Sequence, residues 1–140
     1  MSKERKVISS PKAPPAVGPY SQGVQVGHFL YLSGQIPLNA AGELQQGDIV
    51  VQTIQVLENI KALLSEAGMC PADVVKTTVF LTDLGNFAEM NRVYAEYFPH
   101  NPPARSTIQV AALPRGADIE IEIVAVKSSD IEAITDPTAA

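Results

Sequence analysis

Apolar and polar positions alternate most sharply between Pro103 and Val126, in the segment PARSTIQVAALPRGADIEIEIVAV. Ile119, Ile121 and Ile123 alternate with Glu120, Glu122 and Val124, the period-two signature of a half-buried strand. Arg105, Thr107 and Gln109 alternate with Ser106, Ile108 and Val110 in the same way. The pattern predicts two strands joined by a Leu113-Pro114-Arg115-Gly116 turn. Arg105 then stands at the mouth of one strand, and Glu120 and Glu122 share a face of the other. Charges in alternating strands are usually the wet side of a sheet. A cation and a carboxylate on neighbouring strands also make a site, so two readings stand.

A helical period governs Asp48 to Ala67, where Ile49, Ile54, Leu57, Ile60 and Leu64 make one broad apolar stripe. Asp48 is placed to cap its start, and Gly68 to end it in the left-handed conformation. A second helix is expected over Asn86 to Phe98, with Phe87, Met90, Tyr94 and Phe98 as its stripe. Asn86 and Glu89 have capping-box spacing there, and Pro99 stops the helix. Asn91 falls on that apolar stripe. A buried amide without partners costs about 1–3 kcal/mol, so Asn91 either bridges to a loop backbone or orders a site.

Val74 to Thr82 is rich in β-branched residues and predicts a central strand. Tyr20–Val26 and Phe29–Ser33 predict a hairpin around Gly27-His28, and Val7–Ser9 a short edge strand. Pro11 to Pro15, Leu38 to Gly47 and His100 to Pro103 read as loops. The order β-β-α-β-α-β-β gives an α+β fold, a mixed sheet of about five or six strands with two helices on one face. The expected open face carries Thr, Gln, Arg, Glu and some Val. Residues 1–128 are expected to form one domain. Ser128 onward reads as an acidic tail.

Composition narrows the function classes. The 140 residues fit one domain with one ordinary core. A net charge of −5 and the absence of a basic run argue against a phosphate-binding surface. Cys70 is the only cysteine, which excludes an internal disulfide or a multi-cysteine metal cluster and is compatible with a reducing cytoplasm. No apolar run approaches a membrane helix, and the N-terminus lacks a signal core, so a soluble cytoplasmic protein is expected.

The chain has no P-loop, G-x-G-x-x-G, H-E-x-x-H or G-x-S-x-G motif. His28 and His100 lie in separate connections and read as surface residues. Cys70 has no basic neighbour and reads as an ordinary packed thiol. Arg105, Glu120, Tyr20, Asn91, Thr107 and Ser33 remain. An arginine fork matches a carboxylate, a neighbouring carboxyl group accepts and returns protons, and a tyrosine hydroxyl orients water. This set suits hydrolysis of an already electrophilic carbon, not of an unactivated amide.

GPYSQG (18–23), SGQIP (33–37), VVKTTVFLTDL (74–84), MN and RVY around residues 90–94, PARS and LPRGADIEIEIVAV together resemble the RidA (YjgF-like) family of reactive-intermediate deaminases. The resemblance runs from about Val7 to Lys127 and preserves the order of several separate motifs. It implies a chorismate-mutase-like fold, a homotrimer with sites between subunits, and no cofactor. It also implies hydrolysis of 2-imino and enamine acids, such as 2-aminoacrylate, to 2-keto acids and ammonia. By that resemblance Arg105 clamps the substrate carboxylate, Glu120 handles the protons of water, and Tyr20 positions substrate or water. Asn91, Ser33, Gly34 and Thr107 line the cleft; Glu122 is structural or solvated. Many members carry cysteine where this chain has Thr107. The competing readings are a non-catalytic sensor of small carboxylates and, disfavoured by the acidic balance, an RNA-cleaving protein.

Overall fold

The computed structural model describes residues 4–127. Its strands are β1 (Arg5–Ile8), β2 (Gly23–Val26), β3 (Phe29–Gln35), β4 (Val74–Leu81), β5 (Ala104–Gln109) and β6 (Ile119–Val126). The helices are α1 (Ile49–Glu66) and α2 (Phe87–Tyr97). The strands form one sheet in the order β1-β2-β3-β6-β4-β5. Every pairing is antiparallel except β4 with β5. A parallel neighbour needs a crossover, and α2 supplies it.

The helices pack on each other, and α1 lies across β3 and β6. Between them and the sheet lies a single core that includes Leu30, Leu32, Val79, Leu81, Ile119, Ile121 and Ile123. The α1 boundaries match the apolar stripe: Asp48 accepts from the Val51 backbone at 3.0 Å, and Gly68 has φ 74. Two paired hydrogen bonds fasten α1 to the start of β6. Gln52 Nε2 donates to Asp118 Oδ2 at 2.8 Å, and the Asp118 backbone donates to Gln52 Oε1 at 2.9 Å.

Among the described residues no helix covers the opposite face. Val7, Phe29, Tyr31 and Ile108 are exposed on it, and the rings of Phe29 and Tyr31 stack at 6.4 Å.

Several expectations need correction. The strands of 103–126 do not form a hairpin, because β4 lies between β5 and β6 and pairs with both. Arg105 and Thr107 are not on the open face: Arg105 pairs with Thr77, which pairs with Ile123, and directly paired residues project to the same side. That side is the helix-covered one. Tyr20 precedes β2 and lies outside the strand. Gly34 lies within β3, at a bulge between Leu32 and Gln35, instead of ending it. Asn86 makes no side-chain cap; Asp83 caps the short turn before it by accepting from the Gly85 backbone at 2.8 Å. Cys70 is exposed and not packed. The expected tail from Ser128 lies outside the described residues.

Candidate active site

Half of the expected site is assembled where β3, β6 and the N-terminal loop meet. A cavity of about 370 Å³ is lined there by Tyr20, Ser33, Gly34 and Glu120, with Pro14, Val17, Ile36, Leu38 and Arg115 among its other walls. The β3 bulge turns Ser33 and Gly34 out of the regular ladder. Ser33 Oγ donates to the Ser21 carbonyl at 2.5 Å, and the Ser33 backbone donates to the Gln22 carbonyl at 2.9 Å. The Glu120 carboxyl lies directly over Gly34. A Cβ at that position would collide with Glu120 Oε2, so the carboxyl keeps this seat only over a glycine.

Glu120 is half-buried. Burial pushes its pKa above the ordinary carboxylate value, and the nearby charge of Glu122 pushes it further the same way. Glu120 is therefore a stronger base than a free glutamate, and it holds a proton more readily. Tyr20 is half-exposed and its hydroxyl accepts from the Val17 backbone at 3.4 Å.

Gln22, quoted within a motif but not selected from the sequence, builds the cavity wall. Its Oε1 accepts from the Ser10 backbone at 2.7 Å and its Nε2 donates to the Pro14 carbonyl at 2.7 Å. Prolines cannot fix their own loop through N–H donors, so a buried glutamine does it from the sheet. Arg115 was also missed as a lining residue. It stands at the cavity rim with φ 62, held between Pro114 and Gly116. A non-glycine residue in that region is uncommon, and the Pro-x-Gly spacing is its signal.

The other half lies on the far side of the sheet. The Arg105 guanidinium sits 4.7 Å from the centre of the Tyr94 ring and 5.5 Å from that of Phe87. Such contacts contribute about 0.5–2 kcal/mol and fix the plane of the fork. Tyr94 is itself anchored, its hydroxyl 2.8 Å from Thr77 Oγ1. Burial raises the Tyr94 pKa, while Thr77 and Arg105 pull it down. No acidic side chain among the described residues pairs with Arg105. Asn91 lies on the same stripe of α2, half-buried, and no hydrogen bond among the described residues reaches its amide. Among the described residues the bridge to a loop backbone is absent. Thr107, two residues beyond Arg105, has a buried Oγ1 without a hydrogen-bond partner. Phe87 and Tyr94 entered the sequence reading only as core; the Arg105 contact gives them a second role.

The arrangement thus divides the seven expected residues. Tyr20, Ser33, Gly34 and Glu120 share a cavity. Arg105 and Thr107 lie on the helix-covered side of β5 and Asn91 lies on α2, and none of these three lines that cavity. Glu122 is exposed. His28 and His100 are exposed, and no group of three or more metal-ligating side chains occurs among the described residues.

The family model described as Endoribonuclease L-PSP matches residues 10–127. Protein DfrA of Myxococcus xanthus is 55% identical over 125 residues, covering 87% of this chain and 95% of that protein. The 2-iminobutanoate/2-iminopropanoate deaminase of Mus musculus is 48% identical over 130 residues, covering 92% and 96%. Among solved structures, E. coli TdcF with bound serine is 44% identical with a TM-score of 0.82, covering 87% and 98%.

Proposed function

This chain belongs to the RidA (YjgF-like) family, to which the Endoribonuclease L-PSP description is also applied, and from that premise we propose that it hydrolyses 2-imino and enamine acids to 2-keto acids and ammonia. The observation that carries this reading is the half-buried Glu120 laid over a bare glycine in a cavity with a tyrosine hydroxyl.

Arg105 holds the substrate carboxylate by two parallel N–H···O bonds. Glu120 takes a proton from water as the oxygen adds to the C=N carbon of the protonated imine, and returns that proton to the nitrogen. The C–N bond of the resulting carbinolamine then breaks, its electron pair leaving with ammonia. The remaining hydroxyl proton passes to solvent through Glu120, and the keto acid forms. General acid–base help of about 10²–10⁴-fold is enough, because imines already hydrolyse unaided. Tyr20 positions the water or the substrate, and Ser33, Gly34, Asn91 and Thr107 line the cleft.

Because the sheet separates Arg105 from Glu120 within a chain, the reading requires a second copy to bring its Arg105 to this cavity. A homotrimer with sites between subunits meets that need. The uncovered face bearing Val7, Phe29, Tyr31 and Ile108 supports self-association. The cytoplasm is the proposed location, and no cofactor is required by the steps above.

The test is the decay of 2-imino acids released by an amino-acid oxidase. Wild-type protein is expected to accelerate it, and Arg105→Ala to remove the acceleration while the fold persists. An unchanged decay rate with wild-type protein overturns the proposal. A carboxylate sensor would bind 2-keto acids equally well with Glu120→Ala and show no turnover to lose.

A further inference from the structure

The reaction above leaves Glu122 without a task, yet it occupies a particular place. It follows Glu120 by two residues on β6, so both carboxylates project from the open face. Two residues along a strand span about 6–7 Å, inside the ~10 Å screening length of 0.1 M salt. Glu122 lines a small concavity with Lys76, Thr78 and Tyr31. Lys76 makes no close ion pair with it among the described residues; its Nζ donates to Ser106 Oγ at 3.1 Å, and its positive charge offsets part of the field of Glu122.

The other groups facing Glu120 are accounted for. On β3 its neighbours Ser33 and Gly34 are uncharged, and on β4 its partner is Phe80. Tyr20 and Arg115 stand elsewhere on the cavity wall, Arg115 exposed at the rim. Glu122 is therefore the negative charge that acts on Glu120 from within the same strand.

We propose that Glu122 is a positioning residue of the reaction, its negative charge strengthening Glu120 as the group that takes the proton of the attacking water. The inference rests on the deaminase reading and goes beyond it, assigning a role to a side chain that touches no substrate. The raised proton affinity of Glu120, due first to burial and then to Glu122, agrees with it. A base works best when its pKa approaches the operating pH, so the neighbour's charge helps even though it costs some stability. Arg105 of a second copy would act in the opposite sense on entering the cavity, which makes a counterweight useful.

The experiment compares pH–rate profiles of wild type, Glu122→Gln and Glu122→Asp on 2-iminopropanoate. Activity carried by ionised Glu120 is lost as the pH falls through its raised pKa. Glu122→Gln is expected to move that acid limb to lower pH and to lower the plateau kcat with KM unchanged; Glu122→Asp is expected to restore the wild-type profile. Added salt should move the wild-type limb down and leave that of Glu122→Gln in place. An acid limb at the same pH in Glu122→Gln and wild type overturns the proposal. An infrared titration of the protonated Glu120 carboxyl, identified by its loss in Glu120→Gln, decides the coupling independently of turnover. If wild type shows no turnover, the deaminase reading fails, and an unmoved band would then dismiss the coupling as well.

Discussion

Glu120 and Arg105 stand in one chain, in one sheet, and cannot meet there. Glu120 faces a cavity shaped by a bulge, a bare glycine and a loop clipped on by Gln22. Arg105 faces α2, with its guanidinium over two aromatic rings and Thr107 close behind. The first region is built to alter proton affinity; the second is built to hold a fork in place. Each half is finished in itself and lacks what the other has. Neither performs the proposed reaction alone, so that proposal requires a second copy of the chain.

The strongest way to break that comparison is complementation. Arg105→Ala and Glu120→Gln homo-oligomers should each return imine decay to the rate without protein, or close to it. If the halves come from different copies of a trimer, an equal mixture refolded together should regain activity at about a quarter of the sites, from the random cyclic arrangement. No recovery in mixed oligomers would place both groups in one chain's site, contrary to the geometry. Glu120→Gln by itself should lower kcat about 10²–10⁴-fold, measured in single-turnover decay. Gly34→Ala should fold but displace the Glu120 carboxyl, and a misplacement near 1 Å costs about 10²-fold in rate; activity equal to wild type would show that Glu120 needs no such seat.

Two smaller effects separate the regions by stability. Tyr94→Phe keeps the ring beneath Arg105 but strips the buried Thr77 hydroxyl of its partner. A loss of about 1–3 kcal/mol in denaturant unfolding is expected, with activity per folded molecule retained. Glu120→Gln acts in the opposite direction. A carboxyl whose folded pKa is raised is fully accommodated below its unfolded pKa, and that stability is lost as pH rises through the folded value. The glutamine variant should therefore match wild type at acidic pH and exceed it near neutrality. Denaturant midpoints on both sides of the glutamate range test this, and a gain at acidic pH alone would contradict it.

Much of this was legible in the residues, and the gaps have physical causes. The stripe from Ile49 to Leu64 marked α1 because helical periodicity is a local property, and the Ile119–Ile123 alternation marked β6 for the same reason. Which strands are neighbours is not local. Arg105 and Glu120 are close in sequence, and only the insertion of β4 between their strands reveals that they part company. The face of β5 was misread for the same reason: an edge strand with one half-polar side gives no burial signal of its own, and only its register with Thr77 settles the direction. Tyr20, Ser33, Gly34 and Glu120 line one cavity although they are scattered along the chain. The wall residue Gln22 escaped notice because a glutamine beside a proline loop has no periodic signature.

That glutamine has a wider consequence. The sheet carries Glu120, the proposed base, while Pro14, which helps to shape the chamber, is held by the Gln22 amide. On the proposed reaction, substrate preference and proton transfer are therefore stored in separable parts of the polypeptide. Val17, exposed on that loop, can be exchanged to suit a bulkier or slimmer molecule without touching a strand pairing, provided the amide keeps its grip on Pro14.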